Sequence, residues 1–396
     1  GAATTIVDAN QLDRGFYVAT AADATLSRLT VRNGKPTMFQ FSGGAVFVHA
    51  SSTLTLDHAI LESSVVGSGE LGGCVRSDGT LNVLDSTLRL CTAGYGGGIG
   101  SVGGSVTVSR STITTNTASS TNGGGIWSET PTSIDHSAIV YNTAPIGAGG
   151  GVEIASASLT AWDTTFGWNS ASSLGGGIYV GATTGTNTLK NVTVVLNTVG
   201  LGENIGGDAG GIYVTASKSV GLYNSALHGN SNDYSRVTTN CVGSIVSNGF
   251  NVISDATGCS VSGAFVPSDP LVGLLKDNGG TTPTFMLSPG SPAVDSGPVT
   301  GCTDPLGAAL TTDQRGVKRP IGTHCDLGAV EVELVGDVNG DGVRDVQDIF
   351  YLINFLFAGG EVPLGRANVN GDSVIGVADV FYLINFLFAG GQPPIP

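Results

Sequence analysis

Between residues 97 and 126 the chain reads Gly97-Gly98-Ile99, then Val106-Thr107-Val108, then Asn116, and at Gly124-Gly125-Ile126 the pattern starts again. The same motif, a glycine pair followed by a small or β-branched residue, recurs as Gly43-Gly44-Ala45, Gly72-Gly73-Cys74, Gly150-Gly151-Val152, Gly176-Gly177-Ile178 and Gly210-Gly211-Ile212. Its starts at 43, 72, 97, 124, 150, 176 and 210 lie 29, 25, 27, 26, 26 and 34 residues apart. A period of this length marks a stacked repeat. Leu54-Thr55-Leu56, Leu81-Asn82-Val83 and Leu159-Thr160-Ala161 alternate as strands with one buried face do. Asn116, Asn142, Asn169, Asn197 and Asn230 recur at one place in their repeats, where Cys91 stands in its own. Equivalent residues on stacked strands are ~4.8 Å apart, so a column of Asn can hydrogen-bond as a ladder inside a turn. These features predict a mainly β chain, a right-handed parallel β-helix. An N-terminal cap is expected over residues 1–25, coils over 26–235, and a closing region over 236–333. A propeller blade is usually longer and a leucine-rich repeat needs another leucine spacing.

Composition agrees. Of 396 residues 62 are Gly, without the three-residue period of collagen, and 40% are hydrophobic, too many for simple disorder. The net charge is −15, with no Lys/Arg cluster to meet a phosphate backbone, so no nucleic-acid partner is expected. No run of 18 apolar residues offers a membrane span. The six cysteines fall into sequence-local pairs, Cys74 with Cys91, Cys241 with Cys259 and Cys302 with Cys325, which favours disulfides. Zinc would need closer Cys/His clusters, and His324-Cys325 is the one adjacent pair. The chain, beginning Gly1-Ala2, reads as a processed, mature extracellular protein, secreted or held at a cell surface.

After Glu333 the composition changes. In Asp337-Val338-Asn339-Gly340-Asp341-Gly342-Val343-Arg344-Asp345-Val346-Gln347-Asp348, oxygen ligands stand at positions 1, 3, 5, 9 and 12 of a calcium loop. These are Asp337, Asn339, Asp341, Asp345 and Asp348, with the carbonyl of Val343 at position 7 and Gly342 at the sharp turn. A second, poorer copy offers Asn368, Asn370, Asp372, Asp379 and the carbonyl of Val374, with Ser373 and Gly376 at positions 6 and 9. The first copy has four carboxylates and the second two, so calcium, the expected cofactor, should bind the first more tightly. Each loop leads into nearly the same apolar helix, ended by Gly359-Gly360 or Gly390-Gly391. Helices so apolar on all sides need burial beyond their mutual contact. Phe350, Phe355, Phe357, Phe381, Phe386 and Phe388 are the residues expected to meet a partner.

Two resemblances follow from these motifs. Residues 24–333 resemble the β-helical repeats of polymorphic outer-membrane proteins and the family called choice-of-anchor Q. The most specific part is Thr312-Asp313-Gln314-Arg315-Gly316 followed by Cys325-Asp326-Leu327-Gly328-Ala329-Val330-Glu331. That resemblance implies a secreted surface protein and no particular reaction. Residues 336–391, two loop–helix repeats, resemble a type I dockerin, so the segment 334–396 is expected to be a small α-helical, calcium-binding module that docks on a protein. Loop positions 10 and 11 are Val346-Gln347 and Val377-Ala378, where cohesin-binding dockerins carry polar recognition residues. The resemblance therefore does not carry over cohesin as the partner.

Two columns are candidate sites. Asp57, Asp85, Arg110, His136, Asp163, Asn191 and Asn224 recur near a strand end, and their bland reading is a solvated face with an Asp85–Arg110 pair. Lyase chemistry needs carboxylates beside a basic group, and hydrolysis a close carboxylate pair. Trp127, Glu153, Tyr179 and Tyr213 form an outward column after the glycine pairs, fit for a glycan or a partner, or placed there by the β-propensity of aromatics. No catalytic residue is assigned. The favoured expectation is a non-enzymatic structural or adhesive protein whose tail docks on a partner, a neighbouring copy giving a filament. The alternative is a polysaccharide lyase, glycoside hydrolase or glycan-binding module anchored by the same tail.

Overall fold

The computed structural model describes every residue except 1, 3, 38–42, 183, 201–207, 234–236, 289, 323, 342 and 396. It is a parallel β-solenoid of about 9 turns, followed by two short helices. One coil shows the plan. Ile99–Ser101, Val106–Ser109, Thr112–Thr114 and Thr117–Ala118 each pair in parallel with the next coil, Ile99 against Ile126, Val106 against Thr132, Thr112 against Ala138 and Thr117 against Thr143. Alternate side chains of the three longer strands point inward and form one continuous core, from Val18 to Ile253.

The corners follow from residue type. Successive glycine pairs stack so closely that a Cβ on Gly97 would lie 2.5 Å from the Gly124 carbonyl oxygen and 2.5 Å from the Thr117 nitrogen. Only glycine fits there. The predicted ladder forms: the side-chain amide of Asn116 donates to Asn142 Oδ1 (3.0 Å), Asn142 to Asn169 (3.0 Å), Asn169 to Asn197 (2.9 Å) and Asn197 to Asn230 (2.9 Å). Asn230 extends it to Asn240 (2.9 Å), and all six are fully buried. A second ladder was not foreseen. The backbone N–H of Ala59 donates to Ser86 Oγ, that of Ser86 to Ser111 Oγ and that of Ser111 to Ser137 Oγ.

The cysteines pair as their spacing suggested: Cys74–Cys91, Cys241–Cys259 and Cys302–Cys325, with Cα separations of 5.4, 5.2 and 5.9 Å. Within residues 1–25, Phe16–Val18 and Asp23–Ser27 pair in parallel with Val46–Val48 and Thr53–Asp57, so this segment enters the first coil. Within 236–333, Cys241–Ser247 and Val252–Ile253 add a further turn. The chain then reverses and runs as a strap along the flank of earlier coils. Phe285, fully buried, packs against Gly167, and the Ala329 N–H donates to Thr193 Oγ1 at 2.9 Å.

Helices α1 (Val346–Ala358) and α2 (Val377–Ala389) end at Gly359 and Gly390, both left-handed, whose N–H groups bond back to Asn354 and Asn385. Val335, Val338, Ile349, Leu352, Ala367, Val369, Val380 and Leu383 form a core separate from that of the solenoid. None of the helices is long and apolar enough to cross a membrane.

Candidate functional sites

The two tail loops are built alike. In the first, Asp337 is buried, and its Oδ1 and that of Asn339 both accept the Asp341 N–H (3.1 and 3.0 Å). Asp341 Oδ1 accepts the N–H of Val343 (2.8 Å), and Asp345 caps α1 by accepting the Gln347 N–H (2.7 Å). Asp348 closes the loop: Oδ1 accepts from Val338 and Asn339, Oδ2 from Asp345. Burial pushes its carboxyl up, and the charge of Asp341 adds to this. In the second loop Asp379 accepts from Val369, Asn370 and Gly376, while Gly371 donates to Asn368 and Val374 to Asp372. Gly342, the expected turn glycine, lies outside the described residues.

The donor set is all oxygen, as a hard cation requires. The carboxylates are not, however, drawn together. Among the described residues, the one group of three or more acidic, His or Cys side chains with ligand atoms within 4.8 Å of one another is Asp57, His58 and Asp85, on the solenoid.

The six tail phenylalanines divide. Phe355 is half-buried against the tail's own core, and Phe386 is half-buried with Arg344 over its ring at 5.1 Å. Phe350, Phe357, Phe381 and Phe388 are 65 to 67% exposed. On α1 the exposed apolar residues are Val346, Phe350, Ile353 and Phe357, and on α2 they are Val377, Phe381, Ile384 and Phe388. Steps of four, three and four residues place each set on one helical face. The tail thus carries the same apolar stripe twice.

On the solenoid, Trp127, Glu153, Tyr179 and Tyr213 occupy one register position on successive coils. They are less open than expected: the aromatics are half-buried and Glu153 is buried. The Tyr179 and Tyr213 rings stack at 5.6 Å. Desolvation pushes the Glu153 carboxyl up to about 7 against a hydrogen bond from Asn122, and Glu153 Oε2 has no hydrogen-bond partner.

The polar column needs two corrections. Asp57 pairs with Leu84, one residue out of register, and His58 holds the column position instead. The column is also a conformational feature. His58, Asp85, Arg110, His136, Asp163, Asn191 and Asn224 all have φ between 42° and 51°. They occupy a left-handed corner, a conformation in which Asn, Asp and His are enriched. Asp85 and Arg110 do pair, at 2.7 Å, with Arg110 about half exposed. Such a surface pair contributes ~0–1 kcal/mol.

Farther along, the strap covers this column. Arg319, fully buried, donates to Asp163 (2.5 Å) and Glu331 (2.8 Å), and to the carbonyls of Asp326, Gly328 and Val330. Gln314 accepts from Thr165 (2.7 Å), and Lys190 reaches Thr303 and the Asp304 carbonyl. Arg319 and Gln314 thus tie this segment to the coils. The chain was compared with protein-family models, with curated proteins and with solved structures, and none matches.

Proposed function

We propose that this is an extracellular, non-enzymatic structural protein: a rigid solenoid that a calcium-stabilised, dockerin-like tail attaches to a protein partner, here a second copy of the chain. The observation that carries the reading is the duplicated exposed stripe, Val346/Phe350/Ile353/Phe357 and Val377/Phe381/Ile384/Phe388. An exposed apolar surface of this kind marks an interaction site. Each Phe that becomes fully buried contributes ~1.5–3 kcal/mol, so a few support strong association. Calcium would be held by Asp337, Asn339, Asp341, Asp345, Asp348 and the Val343 carbonyl, and more weakly by the Asn368 loop. It would supply the positive charge that the acidic loops lack, fixing the helices that follow. Three disulfides fit an extracellular setting. Burial of the Asp163 end of the polar column beneath the strap counts against the lyase and hydrolase alternatives.

Sedimentation velocity tests this on the full chain. Assembly is expected in calcium, with monomers after chelation and for the Phe350→Glu/Phe381→Glu variant. A monomer in calcium, or a truncation lacking 334–396 that assembles as the full chain does, overturns it. The stacked Tyr179 and Tyr213 favour one second reading, a glycan-binding coil face, which glycan-array binding lost in Tyr213→Ala would support.

A further inference from the structure

Four carboxylates, Asp163, Asp313, Asp326 and Glu331, are buried where the strap meets the coils, against two guanidiniums, Arg315 and Arg319. Charge buried in such surplus is costly unless a proton joins it. Hydrogen bonding locates that proton. Glu331 Oε2 accepts from Arg319 and the Asp326 N–H, and Oε1 accepts from the Ile321 N–H. The two oxygens of Asp326 accept from the N–H groups of Asp295 and Val332. Asp313 accepts from Arg315, Val317 and Glu331. Asp163 Oδ1 is taken by Arg319, whereas Asp163 Oδ2 is buried and meets no hydrogen-bond donor among the described residues. The nearest charged partner of Oδ2 is His136 Nε2 at 3.7 Å, and the other ring nitrogen, Nδ1, meets Asp135 Oδ1 at 3.0 Å.

We propose that the His136–Asp163 pair is a proton-loaded latch, holding the strap on the coils at acidic pH and loosening it as the pair loses its proton toward neutral pH. A neutral imidazole has one N–H and serves either Asp135 or Asp163; only the imidazolium serves both. Alternatively the proton sits on Asp163 Oδ2, and the pair counts as one titrating unit. The groups facing it are Asp135 and Arg110 from the coils, and Arg319 and Asp313 from the strap. Burial opposes the charged imidazole, but Asp135 and Asp163 outweigh it and raise His136. Burial likewise pushes Asp163 up to about 7, against Arg319 and His136. The carboxylates that raise His136 both lie on the coils and stay with it when the strap opens, whereas burial beneath the strap is what raises Asp163, so the closed strap binds more protons at Asp163 than the open one. The stabilisation is therefore present at low pH and lost as the pH rises through about 7.

Hydrogen exchange on the full chain reads the latch directly, because the Gly328 and Ala329 N–H groups bond to Asn224 and Thr193 of the coils. After correction for intrinsic rates, opening of residues 312–333 is expected to rise about tenfold for each pKa unit of coupling lost between about pH 4 and about pH 7. Asp163→Asn keeps the acceptor for Arg319 and places an N–H at the Oδ2 position, so its opening is expected to vary less steeply with pH than that of the wild type, Asp326 and Glu331, which burial also raises, being left to titrate. A pH-independent wild type, or a variant as pH-sensitive as the wild type, overturns the proposal. If the variant does not fold, the Asp163 carboxyl carbon is titrated by NMR in the wild type. A midpoint well above the ordinary ~3.9 supports the latch, and one at or below it refutes it.

Discussion

Replacing Asn169 by alanine removes the middle of the asparagine ladder. Its Oδ1 accepts both the backbone and the side-chain N–H of Asn142, at 3.0 Å each, and its amide donates to the Ile139 carbonyl (2.8 Å) and Asn197 Oδ1 (2.9 Å). Alanine leaves the fully buried Asn142 N–H without its acceptor, at ~1–3 kcal/mol, while the Asn142 amide keeps Ile113. The three side-chain bonds lost add ~0.5–1.5 kcal/mol each. The expected destabilisation is about 2.5–7.5 kcal/mol, large for one substitution. Guanidinium unfolding followed by tryptophan fluorescence measures it, since Trp127, Trp162 and Trp168 all lie on the coils around residue 169. A loss below about 1 kcal/mol would mean that water or a shifted neighbour satisfies the site, and that the ladder does not hold the coils in register.

Other outcomes follow from the same geometry. Arg319→Ala should cost about 3–5 kcal/mol, because it strands Asp163 and Glu331 as buried charges; limited proteolysis should then cut within 300–333 before the coils. Removing the Cys74–Cys91 bridge, which spans 17 residues, should lower stability by about 3 kcal/mol on the chain-entropy model, read as a shift of the same fluorescence transition. Gly124→Val should block folding of the stack, since a Cβ there lies 2.4 Å from the Gly150 carbonyl oxygen; a soluble variant with unchanged circular dichroism and melting would refute the close approach of the coils.

The coil was legible because its determinants repeat. Seven glycine pairs and a column of Asn each report a neighbour one coil away, and so a period in sequence becomes a contact in space. The strap was not legible in this way. Arg319 meets Asp163 and Gln314 meets Thr165 across some 150 residues with no repeat to announce them. Without the strap, the polar column reads as a solvated face, although part of it is buried. Asp57 was misplaced because one residue of register moves a side chain to the other face, and only the left-handed His58 fixes that corner. The serine ladder had a signal: Ser86, Ser111 and Ser137 each directly follow a member of the polar column. In the tail, all-round apolarity did not distinguish Phe355, packed against the tail core, and Phe386, half-buried under Arg344, from the four exposed phenylalanines.

Calorimetric titration of calcium into the chelator-treated full chain tests the central claim most directly. Four carboxylates in the loop from Asp337 and two in the loop from Asn368 predict one tight and one weaker binding event, with Asp341→Ala abolishing the tight one. A chain that takes up no calcium, or whose binding is unchanged by Asp341→Ala, would contradict the account.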